Sequence, residues 1–102
     1  MRNKYRAIKT TVDGIKFDSK KEAARYKVLK LLEKAGKITE LELQPRYDLI
    51  VNLTKCGFYK ADFRYFESGK EVVEDVKGMK TPVYNLKKKL IKAIYGIVIF
   101  ET

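Results

Sequence analysis

An α/β fold is predicted for this 102-residue chain by three observations. Two stretches of helix-forming residues each open on a capping residue and close on a glycine, Ser19 to Gly36 and Thr81 to Gly96. Between them the apolar residues recur at every second position, the period of a half-buried strand. After the second helix, Ile97 to Phe100 is apolar throughout, as a buried strand is.

Each element has its own local reason. In Val12-Asp13-Gly14-Ile15 the Asp-Gly pair marks a tight hairpin turn within a basic arm, residues 1–17. Ser19-Lys20-Lys21-Glu22 reads as a capping box for a helix running to Ala35. Ala24, Val28, Leu31, Leu32 and Ala35 form its expected buried stripe, with Glu22, Tyr26 and Leu29 along the edge. Leu41 and Leu43 then alternate with Glu40, Glu42 and Gln44 until Pro45 interrupts, and Tyr47 to Leu53 continues as strand. Phe58 to Phe66 is a third extended run, with Ala61, Phe63 and Tyr65 on one face and Lys60, Asp62 and Arg64 on the other. A turn at Glu67-Ser68-Gly69 joins it to Glu71–Lys77 as an antiparallel hairpin, closed by Gly78. Pro82 stands at the first position of the second helix, whose expected core face is Leu86, Leu90, Ala93 and Ile94. The predicted order is helix, three strands, helix, strand in one domain spanning 1–102.

Composition narrows the chemistry. With no histidine, Ser-His and Cys-His nucleophiles and His-ligated zinc are excluded, and the single thiol, Cys56, suits a reducing cytosol. The chain has no apolar stretch near the roughly 18 residues needed to span a bilayer, and its first residues show no signal-peptide pattern; no membrane partner and a cytoplasmic location are expected. The net charge of +10 implies a polyanionic partner such as nucleic acid. That charge is unevenly spread: residues 1–34 carry eleven Lys and Arg against four acids, and residues 79–100 carry five Lys and no acid. Residues 35–78 instead hold seven basic and eight acidic residues. Carboxylates near a phosphate backbone repel it and call for a reason.

Asp75 and Lys77, two residues apart in a strand, share a face about 7 Å apart, and pairing across the hairpin brings Asp62 near Asp75 or Lys77. Carboxylates held close call for a cation. An all-oxygen donor set suits magnesium, with manganese as a substitute, and such an ion polarises a phosphoryl oxygen and activates a water. Lys77 is placed to orient that water or offset developing charge.

Asp62-Phe63 followed by Asp75-Val76-Lys77, with a helical Glu22 upstream, resembles the PD-(D/E)XK nuclease superfamily. Phe17-Asp18-Ser19-Lys20-Lys21-Glu22-Ala23, Leu43-Gln44-Pro45 and Glu74-Asp75-Val76-Lys77-Gly78 are similar to small phage-encoded nucleases and Holliday-junction resolvase-like proteins. The resemblance implies an αβββαβ core over residues 19–101, with a mixed sheet flanked by helices and the short N-terminal hairpin before it. It implies Asp62 and Asp75 as metal ligands, Lys77 as the catalytic lysine, Glu22 as an auxiliary ligand and Gln44 as an active-site partner. Ala61 stands where the motif has proline, and Asp75 where glutamate is commoner. Cleavage of branched DNA in recombination, inside a bacterium or phage-infected host, is the activity so implied. A nicking or end-trimming nuclease and a non-catalytic DNA-binding module are the alternatives. Lys80, Lys87, Lys88, Lys89 and Lys92, with Arg6 and Lys9 of the arm, are the expected phosphate contacts, and two opposed cuts in branched or double-stranded DNA imply a homodimer.

Overall fold

The computed structural model describes residues 8–77 and 80–102, so two residues singled out by sequence, Arg6 and Gly78, lie outside the described residues. The hairpin of β1 (Thr10–Val12) and β2 (Ile15–Phe17) turns through Asp13 and Gly14, both at positive φ, the combination that matches strand twist. Helix α1 (Lys20–Lys34) is capped by Ser19, whose hydroxyl accepts the Glu22 N–H at 3.1 Å. Its buried residues are Glu22, Ala23, Tyr26 and Leu29. The expected stripe is therefore corrected: Ala24, Val28, Leu31 and Ala35 are exposed, and the supposed edge is the packed centre.

Five strands, not three, separate the helices: β3 (Thr39–Leu43), β4 (Arg46–Val51), β5 (Thr54–Lys60), β6 (Phe63–Glu67) and β7 (Lys70–Asp75). After α2 (Pro82–Tyr95) comes β8 (Phe100–Glu101). The main sheet has the order β3-β6-β7-β8, antiparallel except for the parallel β7–β8 pair, and β4 and β5 form a separate antiparallel pair. The run expected from Phe58 to Phe66 thus breaks at Ala61-Asp62, where the chain leaves one sheet for the other. The last strand is corrected too: Ile99 is buried, but Val98 and Phe100 are exposed, as an edge strand allows.

Alternation along the main sheet sends its two faces to two cores. Phe63 and Tyr65 pack with Ala23, Tyr26 and Leu29 of α1. Ala61, Val73 and Ile99 pack with Leu49 and Tyr59 of the second hairpin and with Tyr84 and Ile91 of α2. On α2 the core face is Tyr84 and Ile91 with Leu90 and Ile94 partly covered, whereas the expected Leu86 and Ala93 are exposed. Lys87 and Lys88 are half-buried on that face, which aliphatic stems permit.

Candidate active site

The site forms where β6 begins and β7 ends. The register pairs Phe63 with Glu74, so the next rung outward sets Asp62 beside Asp75. The Asp62 N–H donates to the Glu74 carbonyl at 3.2 Å, and its own carbonyl accepts from Gln44 N–H at 2.9 Å. Its side chain is fixed as well, with Oδ2 accepting from the Val76 N–H at 2.7 Å. Asp75 is only 2% exposed. One of its oxygens, Oδ2, accepts from the Tyr59 hydroxyl and faces Lys77 Nζ at 3.2 Å. Lys77 in turn lies over the Tyr84 ring, 4.0 Å from its centre.

Glu22 joins this group from the first turn of α1. The helix end is tied to the strand end by Lys21 Nζ, which donates to the Lys77 carbonyl at 3.1 Å. Burial first, then the negative charges of Asp18 and Asp75, raise the Glu22 carboxyl above its ordinary value, and Lys77 offsets part of this. Asp62 is pushed up to about 8 by burial and by the Asp75 carboxylate beside it, against the lowering effect of the Val76 N–H. Three carboxylates thus share a partly dry corner with one lysine, and the charge of Asp75 makes ionisation of Glu22 and Asp62 harder. A cation relieves that repulsion, and an oxygen-only donor set suits magnesium held by one or two carboxylates with waters completing its shell. Among the described residues no three His, Cys, Asp or Glu side chains enclose an ion as they stand.

Gln44 enters only through its backbone. It is exposed, has a left-handed φ of 52°, and among the described residues its side-chain amide makes no hydrogen bond to the Asp62 or Asp75 carboxylate. Lys9, Lys80, Lys89 and Lys92 are exposed, and Lys87 and Lys88 are half-buried. The second helix's lysines are not all without acids nearby, as the charge pattern suggested: Glu101 takes Lys80 at 3.1 Å and Lys88 at 3.2 Å. It also accepts from the Tyr84 hydroxyl at 2.7 Å.

Sequence reasoning missed three neighbours of the site. Tyr59 and Tyr84 were hidden among core aromatics, and nothing local marks a tyrosine whose hydroxyl meets a carboxylate far along the chain. The third is Glu74, wholly buried on the opposite face of β7 from Asp75. Arg25 holds it with two bonds, at 2.6 and 2.9 Å, Tyr65 donates at 2.7 Å and Thr102 at 3.2 Å. An acid between Val72 and Val76 on one strand face, with Arg25 in the first helix, was the available signal.

The family model described as "Protein of unknown function (DUF1064)" matches residues 2–100. The chain belongs to the DUF1064 family. Every residue of the site falls within the match, from Glu22 to Tyr84. No curated protein and no solved structure matches the chain.

Proposed function

We propose that this DUF1064 protein is a magnesium-dependent endodeoxyribonuclease acting on branched DNA such as a four-way junction, working as a homodimer. The observation that carries the reading is the convergence of Glu22, Asp62, Asp75 and Lys77 at one end of the β6–β7 ladder in a chain of net charge +10. Asp62 and Asp75 would hold the metal, manganese serving in place of magnesium, with Glu22 as an outer or third ligand. An ion held by these residues would supply polarisation of a phosphoryl oxygen and a more acidic water. Tyr59 and the Val76 N–H fix the two carboxylates before any substrate arrives. Lys77, held by Asp75 and the Tyr84 ring, presents its ammonium to the water or to the charge that grows on phosphorus. The exposed lysines of α2 supply phosphate contacts.

The test is a gel of linear, nicked and four-way DNA incubated with magnesium, manganese, calcium or EDTA. Cutting is expected with the first two ions, hardly with calcium and not with EDTA. Asp75→Asn and Lys77→Ala should abolish it while the circular-dichroism spectrum stays that of the folded protein. An Asp75→Asn protein that cuts at the wild-type rate overturns the assignment. A non-catalytic DNA-binding module is the second reading, favoured by the engagement of Asp75 with Tyr59 and Lys77; binding to four-way DNA without cutting under any ion selects it. Cutting of nicked or linear DNA alone selects a nicking or end-trimming enzyme.

A further inference from the structure

Neighbouring residues of β5 point to opposite sides of the second hairpin, as strand geometry requires. Tyr59 is buried and meets Asp75, whereas Phe58 is 38% exposed on the outer face. That exposed ring is not a bare apolar spot. The Arg46 guanidinium lies 4.0 Å from its centre, and Lys87 Nζ reaches to 5.4 Å from α2. Arg46 is also paired with Asp48 at 3.4 Å, the cross-strand partner of Phe58, whose carboxylate takes Lys55 at 3.6 Å as well. Lys60, exposed, is the cross-strand partner of Arg46. Among the described residues no carboxylate lies within ion-pair distance of Lys60 or Lys87. Four cations and one acid therefore surround an accessible aromatic ring with a guanidinium against it.

We propose that this face is a stacking platform for an unpaired base, with Phe58 and Arg46 as its floor and Lys60 and Lys87 as its phosphate contacts. Any base offers a π-face to such a floor, and the flanking cations follow the backbone of a single strand; a fully paired duplex keeps its bases stacked and gains only the charge. The substrate class for the neighbouring site is then DNA with a single-stranded segment beside the cut, a feature of flaps and opened branch points. This last step rests on the nuclease reading; the platform itself does not. The link between the two is short, because Lys87 lies one helical turn from Tyr84, whose ring sits 6.4 Å from that of Tyr59 and beneath Lys77.

The experiment measures binding in EDTA, by anisotropy of labelled oligo(dT) and of a blunt duplex of equal length, for wild type, Phe58→Leu and Phe58→Trp. Loss of one stacked base predicts that Phe58→Leu weakens oligo(dT) binding by about 5- to 150-fold while duplex affinity stays within about twofold. Phe58→Trp should keep the affinity and show its indole fluorescence quenched as oligo(dT) saturates. Thermal melts certify that both variants are folded; should Phe58→Leu fail to fold, the tryptophan quench decides alone. Equal weakening of both DNAs, no weakening of either, an unquenched tryptophan, or no oligo(dT) binding by wild type overturns the platform. A magnesium gel on the same proteins keeps the two ideas apart. Absent cutting with the binding pattern intact removes only the nuclease reading, and intact cutting with the pattern absent removes only the platform.

Discussion

At the first turn of α1 the Ser19 hydroxyl already accepts the Glu22 N–H, and among the described residues the Ser19 N–H donates no hydrogen bond to the Glu22 carboxylate in return. The cap therefore depends on Ser19 and leaves Glu22 free for the site. Ser19→Ala should cost about 1 kcal/mol of stability, read from thermal melts. Glu22→Gln removes a buried like charge, so its melting temperature should equal or exceed that of wild type at neutral pH, while the magnesium needed for half-maximal cleavage rises. Matching magnesium curves for Glu22→Gln and wild type would withdraw Glu22 from the site. The Arg25–Glu74 pair behaves oppositely, because one partner has no access to water: Glu74 is 0% exposed and the Arg25 side chain 26%. Arg25→Ala strands a charge in the core and should cost about 3–5 kcal/mol, whereas after Glu74→Gln the arginine can turn to solvent and the loss should be smaller. Urea melts of the two variants check that ordering.

At the scale of elements, β8 and α2 are joined through Glu101, whose carboxyl is lowered to about 2 by the Tyr84 hydroxyl and then by Lys80 and Lys88. A depressed carboxyl contributes stability that is fully present above its ordinary value of 4.5 and is lost as the pH falls toward 2. The stability difference between wild type and Glu101→Gln should therefore be constant above about pH 5 and shrink between 4.5 and 2, measured by urea titration at each pH. How much of this was legible depends on what each pattern contains. Helix ends were readable because Ser19, Thr81 and Gly96 act locally, and the β6–β7 hairpin because Ser68 and Gly69 take the two left-handed positions its turn needs. The break at Ala61-Asp62 was not. Tyr59, Ala61, Phe63 and Tyr65 are all buried, so the alternation runs unbroken across a change of sheet. Both helix faces were misjudged for a related reason: the packed stripe of α1 contains Glu22 and that of α2 contains Lys87 and Lys88, polar residues that conceal it, while Val28, Leu31 and Leu86 advertise faces that are exposed. The carboxylate pair was legible because hairpin register follows from the turn, whereas Tyr59, Tyr84 and Arg25 reach the site by packing that no local spacing encodes.

For the whole molecule, the proposed association with DNA would draw on the net charge of +10. Since Glu101 already occupies Lys88, the salt dependence of duplex binding should separate the lysines of α2. Lys89→Ala with Lys92→Ala should lower the slope of log K against log[salt] by up to about 0.9 per contact, and Lys88→Ala should change it far less. The exposed apolar residues Val28 and Leu31 on α1, and Val98 and Phe100 at the β8 edge, give a second copy something to cover. Light scattering should show a dimer at working concentration; a monomer with and without DNA would favour the nicking alternative. Consecutive acids on β7 carry one further consequence. In the observed pairing of Phe63 with Glu74, Glu74 points into the core beneath α1, where Arg25 meets it, and Asp75 points toward the site. A slip of one residue would turn every side chain of β7 over, taking Glu74 away from Arg25 and setting the shorter Asp75, with Lys77 on the same face, against the core beneath α1. A sheet zipped one step out would leave Arg25 without its carboxylate and press a lysine under the helix, so these neighbouring charges act as a password for the correct pairing.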